Sequence, residues 1–274
     1  MTTIDIAPDF AAIKAKQRAT WDSADYAAVA TRIVPMAERL IDAADIPAGS
    51  AVLDVATGSG NAALAAARAG AVVTGIDFAP GLLERARTRA AAEDLELTLA
   101  EADAEALPYA DASFDAVVSA VGVMFTPDQP RAAAELLRVT RPGGTIALSN
   151  WTPSGFVGGM LKTVGRHVPP PAGVPSPLLW GTEDRLAELL GEGVSELLVR
   201  RREFVFRFRS AAEFVAFFRA NYGPVHKAFA ALDADGKDAL AADLHQLAVD
   251  ADRSGGPSVA MPSEYLEVIA TRAA

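Results

Sequence analysis

The chain has no cysteine among its 274 residues and only three histidines, His167, His226 and His245. Without cysteine there can be no disulfide, no thiolate nucleophile and no Cys-based zinc or iron–sulfur site, and this composition fits a reducing compartment. So few histidines argue against a His-rich metal site, and we predict no metal. No apolar run reaches the ~18 residues of a membrane-spanning helix, so no such helix is expected.

Basic residues are in deficit, with 25 Lys and Arg against 35 Asp and Glu and a formal net charge of −10. Nucleic-acid-binding proteins carry a basic surface, so a polynucleotide substrate is disfavoured. The segment Met1–Pro8 lacks the basic and then apolar regions of a signal peptide. We therefore expect a cytoplasmic protein whose partner is a small molecule, not a nucleic acid or a membrane. The oligomeric state stays open.

The first half of the chain alternates strand patterns with helix patterns, after a helical stretch at residues 8–46. Predicted strands and helices fall, in chain order, at about 51–56, 60–69, 72–77, 80–92, 95–100, 114–120, 129–140 and 144–151. Strands that alternate with helices indicate a parallel, doubly wound α/β sheet.

The regular pattern ends after Trp151. Residues 152–181 are rich in proline and glycine, and a loop of this length is usually functional or disordered. An extended segment at 194–208, a helical stretch at 211–252 and a final strand at Tyr265–Thr271 follow. We interpret the region after Trp151 as a lid over a substrate.

A glycine turn follows the first predicted strand. Gly58-x-Gly60-x-x-Ala63 matches a dinucleotide-binding pattern, and Asp77 lies 19 residues after Gly58, where a carboxylate can accept hydrogen bonds from ribose hydroxyls. Glycines let backbone N–H groups approach a ligand at a helix N-terminus. The turn alone fits NAD as well as other nucleotide-like cofactors.

Three stretches in order decide between these cofactors: residues 53–61, 101–115 and 136–144. Together they resemble the motifs of class I SAM-dependent methyltransferases, and Asp-Val-Ala-Thr-Gly resembles the form found in ubiquinone and menaquinone biosynthesis. The family often has glycine where this chain has Ala56. The resemblance implies a Rossmann-like, seven-stranded, mostly parallel sheet with an antiparallel last strand. The sixth and seventh strands would lie at about 195–208 and 264–271.

The resemblance also implies a set of S-adenosylmethionine (SAM) contacts. They are Asp54, Ala56, Thr57, Gly58, Gly60, Asp77, Phe78, Asp103, Ala104 and Ser119. Asp77 would accept from the ribose hydroxyls, and Asp103 from the adenine amine. Asp54 would either orient the amino end of the cofactor or cap nearby backbone N–H groups. Ser119 would face the point where methyl donor and acceptor meet.

We expect one methyltransferase domain with three parts: an N-terminal helical cap at 1–46, a SAM-binding core at 47–151, and substrate-covering insertions with the C-terminal strands at 152–274. The predicted substrate wall consists of large apolar side chains from all three parts. They are Trp21, Tyr26, Met124, Phe125, Trp151, Phe156, Met160 and Trp180. His167 is the candidate base by its position in the chain.

The segment after the fourth predicted strand, 119–125, is apolar and lacks the Asn/Asp-Pro-Pro-aromatic motif of nucleic-acid amino-methyltransferases. This favours transfer of a methyl group to carbon or oxygen of a small, largely apolar molecule, with nitrogen possible, and S-adenosylhomocysteine as the product. Two alternatives stay open. One is a SAM-binding protein with a scaffolding or non-methylating role. The other is an NAD(P) oxidoreductase, which is disfavoured because about 50 residues precede the glycine strand and no Tyr-x-x-x-Lys site follows.

Overall fold

A computed structural model describes residues 8–274, which form eleven α-helices and one seven-stranded sheet. The strands are β1 (Ala51–Val55), β2 (Val72–Asp77), β3 (Leu97–Glu101), β4 (Phe114–Ala120), β5 (Thr140–Trp151), β6 (Val194–Phe208) and β7 (Val259–Arg272). Residues 1–7, which hold most of the segment in which we expect no signal peptide, lie outside this description. Within residues 8–274, no helix is both long and apolar enough to cross a membrane.

The helices connect these strands or precede them. They are α1 (Phe10–Trp21), α2 (Tyr26–Arg32), α3 (Val34–Ala44), α4 (Asn61–Arg68), α5 (Pro80–Ala92), α6 (Gln129–Val139), α7 (Phe156–His167), α8 (Glu183–Leu190), α9 (Ala211–Asn221), α10 (Gly223–Ala231) and α11 (Ala234–Asp250). Several begin at an aspartate that accepts a hydrogen bond from a backbone N–H of the first turn, as Asp128 does from Arg131 and Asp233 from Gly236.

The strand order is β3-β2-β1-β4-β5-β7-β6. The first five strands are parallel, and β7 runs antiparallel to both of its neighbours, β5 and β6. Parallel neighbours need a crossover connection, which α4, α5 and α6 supply. The predicted Rossmann-like, mostly parallel sheet with an antiparallel last strand is confirmed.

Helices cover both faces of the parallel half of the sheet. Successive side chains of a strand point to opposite faces, so each strand contributes to two layers of the core. On one face Val52 of β1 and Val118 of β4 pack with side chains of α3 and α4 such as Leu40. On the other face Leu53 and Val117 pack with Leu136 of α6. The carboxyl ends of β1, β2, β3 and β4 therefore meet at one edge of a rigid, covered sheet.

The region after Trp151 differs from the predicted long loop. Residues 156–167 form the helix α7, whose buried side chains include Phe156, Val157, Met160 and Val164. Their spacing is helical, but three glycines in this stretch obscure it. One of them is required by packing: a Cβ on Gly158 would lie 2.3 Å from the carbonyl oxygen of Thr152. The proline- and glycine-rich loop shrinks to residues 168–176.

The last strand also begins earlier than predicted, at Val259 instead of Tyr265. Pro262 lies inside this strand, paired with Val205 of β6. A proline within a strand pattern argues against a strand because it removes a ladder donor. The long antiparallel pair of β6 and β7 nevertheless includes Pro262. Phe206 and Phe208 of β6 pack with Phe214 and Phe218 of α9.

Candidate functional site

A cavity opens at the carboxyl edge of the sheet, where the strand order reverses between β1 and β4. Ligands of open α/β sheets bind at such a point. This outer chamber is lined by Ala56–Ser59 after β1, Asp77 and Phe78 at β2, Ala102–Glu105 after β3, Ala120–Gly122 at β4, and side chains of α1 and α2. Together with its open mouth it holds about 850 Å³ of empty space.

The glycine loop between β1 and α4 adopts a left-handed backbone at three positions, Ala56 (φ 55°), Gly58 (φ 55°) and Gly60 (φ 87°). Asp54 lies beneath this loop, almost fully buried. Its Oδ2 accepts hydrogen bonds from the Thr57 hydroxyl at 2.6 Å and from the backbone N–H of Ala63 at 2.9 Å. Burial raises the pKa of Asp54 to about 7, against the lowering effect of these bonds. Asp54 therefore fixes the shape of the loop.

Asp77 joins the end of β2 to the same loop. One carboxylate oxygen accepts from the N–H of Gly58 at 2.8 Å and the other from the N–H of Ala79 at 2.9 Å. Burial raises the pKa of Asp77 to about 6, although these backbone hydrogen bonds lower it. A carboxylate has about four lone-pair sites, so Asp77 retains acceptor capacity toward the outer chamber.

Helix α1 crosses the mouth of the chamber and is held there by polar contacts. The Lys14 ammonium lies 2.5 Å from Asp103 and 2.9 Å from Glu105. Partial burial lowers the pKa of Lys14, but the two carboxylates outweigh it and the net pKa is raised. Gln17 donates to the carbonyl oxygen of Phe125 at 3.1 Å. The helix thus connects the loop after β3 with the segment after β4.

An aromatic cluster forms the wall near the end of β4. The ring of Trp21 makes edge contacts with Tyr26, Phe125 and Tyr222 at centroid distances of 5.2, 5.0 and 5.7 Å. Such edge-to-face pairs are the favoured geometry of aromatic rings. The cluster joins α1, α2, the segment after β4 and the turn between α9 and α10.

Behind this cluster lies a narrow second space, the inner chamber, with about 300 Å³ of empty space when its open edge is included. Its lining residues are Tyr26, Val29, Ile33, Val121, Phe125, Trp151, Val157, Met160, Phe206, Phe218 and Tyr222. Tyr26, Ile33, Val121 and Phe125 also line the outer chamber, so the two spaces adjoin there. Within the described part of the chain, the inner wall carries no Asp, Glu, His, Lys or Arg side chain.

The structure brings most of the sequence-predicted residues to these two chambers. The outer chamber is lined by Trp21, Tyr26, Ala56, Thr57, Gly58, Asp77, Phe78, Asp103, Ala104 and Phe125. The inner chamber takes Trp151 and Met160 and shares Tyr26 and Phe125. The remaining predicted residues line neither chamber. They are Asp54, Gly60, Ser119, Met124, Phe156, His167 and Trp180.

These seven residues make structural contacts elsewhere, and those of Asp54 are described above and those of His167 below. The Ser119 hydroxyl donates to the carbonyl oxygen of Val55 at 2.7 Å and accepts from the N–H of Val123 at 2.9 Å, which ties β4 to β1. Gly60 directly precedes α4, and a Cβ at this position would lie 3.2 Å from the Cβ of Ala86. Met124 and Trp180 are fully buried, and Phe156 packs on Phe214.

His167 lies at the end of α7, away from both chambers. Its Nε2 is 2.8 Å from a carboxylate oxygen of Asp243 on α11. The structure therefore places His167 at neither chamber. Residues 156–167 form a helix packed along α11, where the sequence analysis predicted a loop.

Several chamber residues were not predicted from the sequence, notably Lys14, Gln17, Asn61, Val121 and Tyr222. Lys14, Gln17 and Trp21 follow helical i, i+3, i+7 spacing, which places them on one face of α1. That spacing could have identified Lys14 and Gln17 from the sequence as neighbours of Trp21. Tyr222 comes to the chamber only through the packing of α9 and α10, which no local pattern shows.

Comparison with known proteins bears on this site. A methyltransferase domain family matches residues 53–148. An uncharacterized protein of Mycobacterium tuberculosis is 44% identical over 264 residues, which cover 95% of each chain. The demethylmenaquinone methyltransferase of Deinococcus radiodurans is 43% identical over 126 residues, 44% of this chain and 52% of that one. This chain belongs to the class I SAM-dependent methyltransferase family.

The similarity extends to solved structures. The YcgJ protein of Bacillus subtilis superposes with a TM-score of 0.60 over 87% of this chain and 98% of that one, at 16% identity. At this identity the match reflects the shared fold. It reaches well beyond residues 53–148, so the fold of the family extends past the region of motif similarity.

This class I family member departs from the usual first motif at Ala56, where glycine is frequent. The structure explains why glycine suits the position: φ is 55°, a region that costs a residue with a Cβ about 1–2 kcal/mol. Val121, at the end of β4, has a similar φ of 57°. Two residues with strained backbone thus line the outer chamber, and such strain often occurs at functional sites.

Proposed function

We propose that the chain binds SAM in the outer chamber and transfers its methyl group to a small, largely apolar molecule whose reacting end enters the inner chamber. The observation that carries this proposal is the junction of the two spaces. An outer chamber with charged side chains such as Asp77 and Asp103 in its wall continues, through Tyr26, Ile33, Val121 and Phe125, into an inner chamber whose wall has none.

The outer chamber fits the parts of SAM. Asp77 would accept from the ribose hydroxyls with its free lone pairs, and Phe78 would pack on the adenine. Asp103 would accept from the adenine amine beside the backbone of Ala104. The loop at Ala56–Gly58 would approach the amino-acid arm, as small residues permit.

Asp54 and Ser119 would support this site from beneath. Asp54 holds the loop through Thr57 and Ala63, and one of its oxygens is buried without a hydrogen-bond partner among the described residues. Ser119 joins the ends of β1 and β4. Both residues would keep the backbone around the cofactor in one conformation, and loss of either would act through the loop.

The chemistry requires alignment more than acid–base catalysis. SAM supplies a methyl group on a sulfonium, already activated for in-line displacement. The chain has to hold the acceptor atom in line with that methyl group, and positioning alone can supply much of the acceleration. The apolar inner wall offers no ionised group to a charged acceptor. This favours a neutral, apolar acceptor with carbon or oxygen as the accepting atom.

Isotope transfer tests the proposal. We expect purified protein incubated with methyl-deuterated SAM and a pool of apolar small molecules to give S-adenosylhomocysteine and a labelled product, detected by mass spectrometry. Substitution Asp77→Ala should abolish both signals, because the ribose acceptor is lost. SAM binding without label transfer to any compound would favour the scaffolding alternative. Binding of NAD(P)H without binding of SAM would contradict the proposal.

A further inference from the structure

One arginine on α5 supports the glycine loop without lining the space where a cofactor would bind. The Arg89 guanidinium donates to the carbonyl oxygen of Ser59 at 2.7 Å and to Oδ1 of Asn61 at 2.7 Å. Ser59 and Asn61 line the outer chamber, whereas Arg89 lines neither chamber. Arg89 therefore holds the loop, and the side chain of Asn61 with it, from outside the two chambers.

The environment of Arg89 is unusual for a charged side chain. Burial lowers its pKa below the ordinary value. Within residues 8–274, its guanidinium donates hydrogen bonds to uncharged atoms, those of Ser59 and Asn61, although buried charges are usually paired. By contrast, Arg87 on the same helix forms an exposed ion pair with Glu84. The contacts with the glycine loop are therefore what hold the guanidinium of Arg89 in place.

Asn61 extends this contact to helix α2. Its Nδ2 donates to the carbonyl oxygen of Ala30 at 2.8 Å, in the last turn of α2, where carbonyls lack ordinary intrahelical partners. The same carbonyl accepts from the N–H of Ile33 at 3.1 Å, at the junction of α2 with α3. Because an amide side chain has both an acceptor and donors, Asn61 joins the Arg89 guanidinium to the end of α2.

Helix α2 forms a wall that the two chambers share. Tyr26 and Ile33 line both chambers, while Ala30 lines the outer one and Val29 the inner one. The helix has only seven residues, and isolated helices shorter than about 12 residues are marginal in water. Its position therefore depends on its contacts with the rest of the protein, and the contact with Asn61 bears on the shape of both chambers.

A second contact holds α2 from the side of β6. The guanidinium carbon of Arg32 lies 4.4 Å from the ring centroid of Phe208 and 4.3 Å from that of Phe217, which is a cation–π arrangement. Phe208 belongs to β6, and Phe206 of the same strand lines the inner chamber. Helix α2 is thus fixed between the glycine loop and β6, so a shift of the loop would be felt at the inner wall.

We propose that Arg89 is a positioning residue that acts through Asn61: it ties the glycine loop to α2, so that a cofactor bound in the outer chamber orders the wall of the inner chamber. This inference rests on the proposed function. A ligand packed against the loop restrains Asn61 and, through the bond to Ala30, the end of α2. Such coupling is reciprocal, so a methyl acceptor in the inner chamber would in turn strengthen binding of the cofactor.

Amide hydrogen exchange of α2 tests this coupling. We would measure the exchange of residues 26–33 by mass spectrometry in free protein and in protein saturated with S-adenosylhomocysteine. We expect the ligand to slow this exchange in wild-type protein. Arg89→Met and Asn61→Ala should each reduce the slowing by about 3–10-fold, the value of one hydrogen bond. Arg87→Met, which alters an arginine of α5 paired with Glu84, should behave like wild type.

A double substitution separates positioning through Asn61 from a general loss of structure. In a chain that already carries Asn61→Ala, the further change Arg89→Met should leave the exchange of residues 26–33 unchanged, because the path it uses is already broken. Additive effects of the two substitutions would overturn the proposal. So would a slowing by S-adenosylhomocysteine that is the same in wild type and in both single variants.

Asn61→Asp provides a second variant that keeps the Arg89 contact. The carboxylate still accepts from the guanidinium, but it has no donor for the carbonyl oxygen of Ala30. We expect the slowing to fall as in Asn61→Ala, and this variant tests the tie even if Arg89→Met does not fold. Slowing at the wild-type level in Asn61→Asp would show that the bond to Ala30 does not transmit the effect.

Failure of the proposed function gives a different result. Wild-type protein that does not bind S-adenosylhomocysteine would contradict the proposed function. The tie is then judged in free protein, where Arg89→Met and Asn61→Asp should exchange residues 26–33 faster than Arg87→Met does. Equal exchange in these three free variants would overturn the tie between the glycine loop and α2.

Discussion

The carboxylate of Asp77 accepts a 2.8 Å hydrogen bond from the backbone N–H of Gly58. This bond ties the end of β2 to the glycine loop after β1, so the proposed ribose acceptor and the proposed loop for the amino-acid arm are one connected unit. The other oxygen of Asp77 orders the start of α5 through Ala79. Changes at Asp77 should therefore affect cofactor affinity more than any exposed aspartate does.

Substitution Asp77→Asn should weaken SAM binding by about 10–100-fold, the range expected when charge-assisted hydrogen bonds are lost. The amide retains the size of the side chain but replaces one acceptor oxygen with a donor. Titration calorimetry measures the affinity, and circular dichroism establishes that the variant is folded at the temperature used. Asp42→Asn, on the exposed side of α3, is the matched control. Equal affinities in the two variants would remove Asp77 from the ribose role.

The affinity for SAM should increase as pH rises from 5 to 7. Burial raises the pKa of Asp77 to about 6, so the free protein holds a proton there that an ionised, SAM-bound Asp77 must release. The dependence for one proton is at most about tenfold per pH unit. Calorimetry in buffers of different ionisation enthalpy measures the proton release. A flat profile in wild-type protein would show that Asp77 is already ionised and that its burial is less costly than the structure implies.

The same residues make a prediction for the free protein. The folded-state pKa values of Asp54 and Asp77, about 7 and about 6, lie above the ordinary value of 3.8. The folded state then binds protons that the unfolded chain has released, so the contribution of these two groups to stability is greatest below about pH 4 and is lost as pH rises to about 7. Carboxyls such as Asp115 and Glu135, whose pKa values are lowered, contribute in the opposite sense, so urea unfolding of wild-type protein and of Asp54→Asn across this range measures the trend as the difference between the two. A difference that stays constant from pH 4 to 7 would contradict it.

Much of this molecule could be predicted from its sequence. The alternation of strands and helices from Ala51 to Trp151 has a clear period, and the glycine turn and Asp77 lie at fixed places in that pattern. The chamber wall was harder, because it depends on contacts between distant segments. Tyr222 contacts Trp21 only because α9 and α10 pack together. Pro262 made the first six residues of β7, 259–264, look unlike a strand in the sequence. His167 shows the reverse case. Its position in the chain predicted a place at the substrate site, whereas the packing of α7 on α11 places it at neither chamber.

Ala56→Gly should raise the free energy of unfolding by up to about 1 kcal/mol. The left-handed backbone at Ala56, φ 55°, costs alanine about 1–2 kcal/mol, and glycine gives back part of this gain through its greater freedom in the unfolded chain. Ala239→Gly, at an exposed position inside α11, should instead lower stability by about 1 kcal/mol. Chemical denaturation of both variants gives the comparison. If both substitutions destabilised equally, the backbone strain assigned to Ala56 would be absent.

Lys14→Ala should loosen α1 over the outer chamber. The ammonium of Lys14 bridges Asp103 and Glu105, and no side chain of α1 is fully buried, so polar contacts hold much of this helix. We expect faster amide hydrogen exchange in residues 10–21 of this variant, measured by mass spectrometry. Lys16→Ala, on the exposed side of the same helix, should exchange like wild type. Identical exchange in the two variants would mean that the aromatic contacts of Trp21 suffice.

The most direct test is calorimetric titration of the wild-type protein with SAM, S-adenosylhomocysteine and NAD(P)H in turn. We expect both adenosyl ligands to bind at one site per chain and NAD(P)H to give no heat of binding, because we propose that the glycine loop, Asp77 and Asp103 bind an adenosyl group with an amino-acid arm. Binding of NAD(P)H, with neither adenosyl ligand bound, would contradict the assignment of the outer chamber to SAM.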